Sequence, residues 1–340
     1  MHFSQVSVLG LAHVDAPHRI PSADIEDRLS EVSLRIGGDT RILTQLTGIV
    51  ARRYWDEGVR PSEVAAEAGE RALADASISR DRVGVVVSTS VCKDFIEPAV
   101  AAFVHQRLGL PPDCRNFDVG NACLAFLDGI HIVGSMIERG DVDFGLIVDG
   151  ESARAPTEAT IKRLLEPGCA AQTYRDNFAT LTLGSGAVAM VLGRSELAPG
   201  HQRRRVVGGV SLAATQHVNL CRGTAEEMTT DAGSLLVAGI ELARRTYAKA
   251  QRELGWSRTA LQEIVLHQVS ATHTQKLCEA LELDPEKVYP LYREFGNIGP
   301  ASIPIALSKA REEGRLSPGK RVGLLGIGSG LNCSMMEIVW

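Results

Sequence analysis

Apolar residues recur along this chain in two rhythms, and the rhythms appear twice in the same order. Val6-Ser-Val-Leu-Gly10 opens the chain with a short strand-like run, and Val206-Val-Gly-Gly-Val210 does the same later on. Ala72 to Ser90 then reads as the end of a helix, a short polar loop and the apolar run Val83-Gly-Val-Val-Val-Ser-Thr. Ala248 to Ser270 reads the same way, ending in Glu263-Ile-Val-Leu-His-Gln-Val. After Leu108-Gly-Leu110 come a strand-like run, Gly120-Asn-Ala122, a helix pattern ending at Glu138-Arg-Gly140, and the strand Phe144-Gly-Leu-Ile-Val-Asp149. After Leu281-Glu-Leu283 come a run ending at Gly296-Asn-Ile298, a helix pattern ending at Glu313-Gly314, and the strand Arg321-Val-Gly-Leu-Leu-Gly326. Short apolar runs between turn residues read as buried strands, and long ones stopped by glycine read as helices.

Alternating β and α elements predict an α/β protein with largely buried sheets. The internal repeat predicts two pseudo-symmetric halves with a site between them. The division expected is 1–175 and 176–340, with a less regular insertion from Thr157 to Asp176.

Composition narrows the class. At 340 residues and 44% apolar, the chain is long enough for one or two cores. A net charge of −5 and a pI near 6.0 give no sign of nucleic-acid binding, and Arg203-Arg-Arg205 reads as a solvated loop. No run reaches the ~18 apolar residues of a membrane span. Met1-His-Phe-Ser-Gln5 lacks the basic and apolar regions of a signal peptide. Seven scattered cysteines without C-x-x-C spacing fit neither a disulfide framework nor a zinc site. The expectation is a soluble protein of a reducing compartment, the cytoplasm, with no metal. Gly326-Ile-Gly-Ser-Gly330 leads into a strand rather than a helix, so it is not a dinucleotide fingerprint. The chain has no G-x-S-x-G elbow and no Walker-type loop.

The chemistry concentrates in Phe117-Asp-Val-Gly-Asn-Ala-Cys-Leu-Ala-Phe126. Cys123 falls where a strand-like segment gives way to the helix pattern Leu124 to Arg139, with Gly120 and Ala122 small enough for a sharp turn. A thiol at a helix N-terminus feels the positive end of the macrodipole, which favours the nucleophilic thiolate. In a pseudo-symmetric fold the equivalent loops of the second half converge on the same place. They carry His267, at a strand end, and Asn297, in Gly296-Asn-Ile-Gly-Pro300. Cysteine with histidine and asparagine in one α/β frame points to nucleophilic catalysis.

In this order these motifs resemble the thiolase superfamily, and within it the β-ketoacyl-ACP synthase III branch. Phe117-Asp-Val…Ala-Cys123 is similar to that branch's nucleophile segment, His267-Gln268 to its histidine motif, Gly296-Asn297 to its asparagine motif, and Gly326–Gly330 to its glycine-rich loop. The resemblance implies a thiolase-like fold, a layered αβαβα architecture of two βα halves. It also implies a homodimer. Three departures narrow it. The histidine motif runs His-Gln-Val-Ser270 instead of the usual His-Gln-Ala-Asn. Arg35-Ile-Gly-Gly-Asp39 lacks the usual tryptophan near the CoA adenine. Lys93-Asp-Phe-Ile-Glu-Pro98 has Glu97 where the synthases carry an apolar residue that reaches the partner's acyl pocket. Glu97, with Gly296-Asn-Ile-Gly-Pro-Ala-Ser302, Gly-Ile-Gly-Ser-Gly-Leu-Asn332 and Gly10-Leu-Ala-His-Val-Asp-Ala-Pro17, is most similar to the OleA-type enzymes that begin long-chain olefin biosynthesis.

Joining two ordinary acyl thioesters requires removal of an α-proton, hence a positioned base. The resemblance implies that Cys123 is acylated by one long-chain acyl-CoA and that Glu97 deprotonates the second. His267 and Asn297 would hydrogen-bond the enolate oxygen, and the N–H groups of Cys123 and Ser329 the tetrahedral oxyanion. The product would be a 2-alkyl-3-ketoacyl-CoA, formed without cofactor and passed to downstream pathway enzymes. The alternatives are a decarboxylating synthase III using malonyl-ACP, an HMG-CoA-synthase-like enzyme, and a non-catalytic partner subunit.

Overall fold

The structure, a computed structural model, describes residues 2–198, 204–224 and 227–340. Nine strands form the main sheet: β1 (Val6–Asp15), β2 (Val85–Ser88), β3 (Arg115–Asp118), β4 (Phe144–Glu151), β5 (Gly186–Arg194), β6 (Arg204–Ala213), β7 (Glu263–Leu266), β8 (Arg321–Gly328) and β9 (Asn332–Val339). Their order across the sheet is β7-β8-β9-β6-β1-β5-β4-β2-β3. Read outward from the centre, both halves repeat one pattern. β1 pairs antiparallel with β5, β5 antiparallel with β4, and β4 parallel with β2. β6 pairs antiparallel with β9, β9 antiparallel with β8, and β8 parallel with β7. β3 extends the first half in parallel, and its counterpart is a single parallel bridge from Ile264 to Val288. The halves join where Ser7 and Val8 of β1 face Arg205 and Arg204 of β6.

Alternation along the strands sorts the core into layers. Val85 and Val87 face a central core, whereas Val86 between them faces an outer one. The central core is built on two helices, α3 (Ala125–Glu138) and α6 (Ser302–Glu312), packed between strands of both halves. α1 (Pro61–Ala76) and α2 (Val100–Leu108) cover the outer face of the first half. α4 (Ala232–Glu253) and α5 (Ala271–Leu281) cover that of the second. The result is helix, sheet, helix pair, sheet, helix, which is the αβαβα arrangement.

Three expectations need correction. β5 lies beyond residue 175, yet it fills the place between β1 and β4, so the change-over between halves falls after Arg194. The supposed irregular insertion is helical over Arg154–Leu164 and Ala171–Asn177. Its Ile161, Leu164 and Tyr174 pack with Ile25, Leu29 and Leu43 in a core of their own. Arg204 and Arg205 begin β6 instead of a loop, and Arg204 lies over the Trp340 ring; Arg203 is outside the described residues. Among the described residues no helix is long and apolar enough to cross a membrane.

Candidate active site

Cys123 sits in a one-turn 3₁₀ segment, Ala122–Leu124, that feeds directly into α3. The turn is tight: Ala122 has φ +45°, a left-handed backbone that costs an alanine roughly 1–2 kcal/mol. Polar bonds on either side hold it. Asn121 Nδ2 donates to Asp128 on α3 at 2.7 Å, and Asn332 Nδ2 on β9 donates to Asn121 Oδ1 at 3.1 Å. The glycines at the end of β8 let that strand lie against the turn. A Cβ on Gly326 would stand 2.5 Å from Leu124 Cδ2, and one on Gly328 would stand 3.4 Å from the Cys123 nitrogen. Ser329 is therefore the next residue after the strand end that abuts Cys123, and it is half-buried.

The second half brings its two residues to the same edge. His267 follows β7 and is buried, its N–H donating to Leu325 O of β8 at 2.8 Å. Its Nδ1 is buried without a hydrogen-bond partner among the described residues. Burial, reinforced by His273, pushes its pKa down to about 3, so the ring is neutral near pH 7. Asn297 is fixed by its backbone: its N–H donates to Thr182 O and its carbonyl accepts from Gly184 N–H, both at 2.9 Å. Asn297 Oδ1 accepts from Gly299 N–H at 3.0 Å, which leaves the amide nitrogen as the donor for an incoming group. The turn Gly299–Ala301 that follows packs against the Cys123 turn.

The electrostatics of Cys123 run against the sequence expectation. Burial, then the nearby Cys221 and Glu151, pushes the thiol up to about 12. A rise from about 9 to about 12 corresponds to about 4 kcal/mol. A helix N-terminus supplies typically 0.3–1 kcal/mol. Desolvation wins, and the resting residue is a thiol.

Within one chain Glu97 is a surface residue, unlike the buried His267. It is exposed, on a projecting loop whose tip also exposes Phe95 (46%) and Ile96 (99%). Sequence reasoning missed three further groups beside the site. Asp149 and Glu151 are buried at the end of β4. Burial, then Glu151, drives Asp149 far above the carboxylate range, and burial lifts Glu151 to about 7. The third is Cys221, whose charge would be felt by Cys123. The only local signal for the acids was an apolar strand running without a break into Asp-Gly-Glu151.

Comparisons with known proteins identify the family. Residues 252–340 match the 3-oxoacyl-[acyl-carrier-protein (ACP)] synthase III C-terminal family. The chain is 47% identical to the acyl-CoA:acyl-CoA alkyltransferase of Xanthomonas campestris, with 100% of each chain covered. It is 37% identical to the enzyme of that name from Shewanella oneidensis, again with 100% of each covered. A β-ketoacyl-[acyl-carrier-protein] synthase III of Streptomyces coelicolor is 30% identical, over 91% of this chain and 92% of that one. The crystal structure of an alanine variant of Xanthomonas campestris OleA superposes with a TM-score of 0.98 at 47% identity, covering 100% of this chain and 98% of that one. The chain belongs to the thiolase superfamily of acyltransferases, and within it to the OleA-type acyl-CoA:acyl-CoA alkyltransferases of the synthase III branch.

Proposed function

We propose that the protein is a homodimeric, cytoplasmic enzyme that condenses two long-chain fatty acyl-CoAs without decarboxylation. The Cys123 sulfur attacks the first thioester carbonyl, CoA leaves as its thiol, and acyl-Cys123 remains. Since burial holds Cys123 protonated at rest, its proton has to leave as the sulfur attacks. The second acyl-CoA binds with its carbonyl oxygen between His267 and Asn297. The Glu97 carboxylate of the partner subunit takes the α-proton. The resulting carbanion attacks acyl-Cys123, a carbon–carbon bond forms, the carbon–sulfur bond breaks, and Cys123 recovers a proton. The N–H groups of Cys123 and Ser329 stabilise the tetrahedral oxyanion. The product is a 2-alkyl-3-ketoacyl-CoA, the entry to long-chain olefin or related β-lactone biosynthesis, and the residues named need no metal or redox cofactor.

The observation that carries this reading is a neutral buried imidazole following β7 together with the Asn297 amide, whose oxygen is taken by the Gly299 N–H so that its nitrogen is the group left to donate. Two such donors suit an enolate oxygen, and preorganised donors lower a barrier most where charge develops. Glu97 separates the condensing reading from the decarboxylating one, because loss of carbon dioxide makes a carbanion without a base. Its exposure beside apolar Phe95 and Ile96 supports delivery to a second copy. Solved structures of Xanthomonas campestris OleA include variants of a cysteine, a glutamate and a histidine, and one form with bound lauric acid and lauroyl-CoA. Those side-chain types match Cys123, Glu97 and His267.

The test is product analysis with myristoyl-CoA alone, against myristoyl-CoA with malonyl-ACP. Condensed 2-alkyl-3-keto product from myristoyl-CoA alone is the expected result. Product only when malonyl-ACP is present would replace the reading with the decarboxylating one. A fully active monomer in light scattering would remove Glu97 from the partner's site.

A further inference from the structure

The loop that leaves β2 and carries Glu97 is gripped from both sides by carboxylates of the neighbouring strands. β2 lies between β4 and β3, all three parallel, so their C-terminal ends emerge at one edge. β4 ends on Glu151 and β3 ends on Asp118. Glu151 accepts the N–H groups of Val91 at 2.6 Å and Cys92 at 3.3 Å, at the outgoing root of the loop. Asp118 accepts the N–H groups of Val100 at 3.1 Å and Ala101 at 2.9 Å, at the returning root, and pairs with Lys93 Nζ at 2.9 Å. Between these anchors the loop also touches the covering helices: Asp94 accepts the Ser62 N–H of α1 at 3.0 Å, and the Phe95 ring lies 5.6 Å from that of Phe103 on α2. Four backbone N–H groups taken up by two carboxyl groups on the ends of paired strands make a stiff base.

Both anchors also lead to the nucleophile. Asp118 stands on the segment that runs straight into the Cys123 turn. Glu151 lies against the asparagine loop, where a Cβ on Gly299 would be 3.8 Å from its carboxyl carbon. The strand ends that fix one subunit's own site therefore also fix the loop it lends out.

We propose that Glu151 and Asp118 are positioning residues for Glu97, bracing its loop so that the carboxylate reaches the partner's site at the right depth. This rests on the reading that Glu97 acts in the partner's site. A base held by a free loop would lose the alignment on which proton transfer depends, and a misplacement of about 1 Å can cost about 10²-fold.

Mixed dimers test it. A Cys123→Ala subunit retains a good Glu97 loop, and a Glu97→Gln subunit retains a good Cys123. Together they form one complete site, and condensation should return on mixing. If none returns, the trans reading fails before Glu151 has been touched, and the brace falls with it. With condensation restored, Glu151→Gln is added to one subunit at a time. Gln keeps the shape but presents an amide donor to N–H groups that need an acceptor. Placed in the Cys123→Ala subunit, it should cut condensation roughly 10- to 100-fold while acylation of the other subunit's Cys123 is unchanged. Placed in the Glu97→Gln subunit, where Glu151 borders the working Cys123, it should cost condensation at least about tenfold less than in the other placement. Asp118→Asn should show the same asymmetry. Equal losses in both placements would mark a folding role and overturn the brace. So would no loss, or a loss confined to the subunit that supplies Cys123.

Discussion

The loops that follow β2 and β7 occupy equivalent places in the two halves, and they use their ionisable residues in opposite ways. The loop after β7 is short. His267 stays buried beside β8, and Ser270 caps α5 by accepting the N–H of His273 at 3.1 Å. The loop after β2 is long, and it carries Glu97 out into solvent before Val100 starts α2. A buried imidazole loses its charge and becomes a neutral hydrogen-bonding group aimed at its own chain's site. Glu97 stays exposed in the single chain, and under the proposed reading it gains an apolar setting where a second copy covers it. Under that reading the two halves place one residue for use in its own chain and its counterpart for use in a second copy, and the difference in loop length is what separates them.

The sharpest way to break this contrast is Glu97→Gln, which keeps side-chain shape and removes basicity. Condensed product should fall by about 10²–10⁴-fold, the usual share of a general base, while acyl-Cys123 still forms. CoA release and ketone yield measured on the same variant separate the two stages. Normal ketone yield from two fatty acyl-CoAs would defeat the base assignment.

His267→Ala and Asn297→Ala come next, each expected to slow condensation by about 10²–10³-fold as one donor to the developing charge is lost. First-stage acylation should suffer less. Rapid-quench measurement of the CoA burst checks this, and a burst that disappears together with turnover contradicts the division of labour.

A smaller effect concerns Cys123. With its thiol pushed up to about 12, the thiolate fraction rises about tenfold per pH unit below that value. Alkylation by iodoacetamide, mapped to the Cys123 peptide, should therefore be slow at pH 7 and close to a hundredfold faster at pH 9. A plateau below pH 8 would mean that the helix end outweighs burial after all.

The smallest effect is on stability. His267 titrates at about 3 when folded and near 6.5 when unfolded, so below that upper value the unfolded chain binds more protons. Stability is then lost as pH falls from about 6.5 towards 3. At pH 5 the loss from this residue is about 2 kcal/mol. Denaturant titrations at pH 7 and pH 5 should show His267→Gln losing less stability than the parent by that amount. Equal losses in the two proteins would place a charged imidazole in the fold.

Much of the site was legible because its signals are local. A small-residue turn between an apolar run and a helix pattern marked Cys123, and the same alternation repeated downstream marked the loops of His267 and Asn297. The opening runs at Val6 and Val206 lie in β1 and β6, the pair through which the halves meet. The misreadings have one cause. Where β5 belongs, whether 157–176 folds as helix, and whether Cys123 is thiol or thiolate all depend on neighbours distant in sequence. The sequence by itself determined the order of elements, the repeat and where the candidate nucleophile falls among them, because periodicity, turn chemistry and residue type are carried by adjacent positions. Only the tertiary structure decided that Asp118 and Glu151 hold the Glu97 loop and that burial outweighs the helix end at Cys123. Desolvation and hydrogen bonding between strand ends exist only once residues 17 to 60 positions apart have been packed side by side.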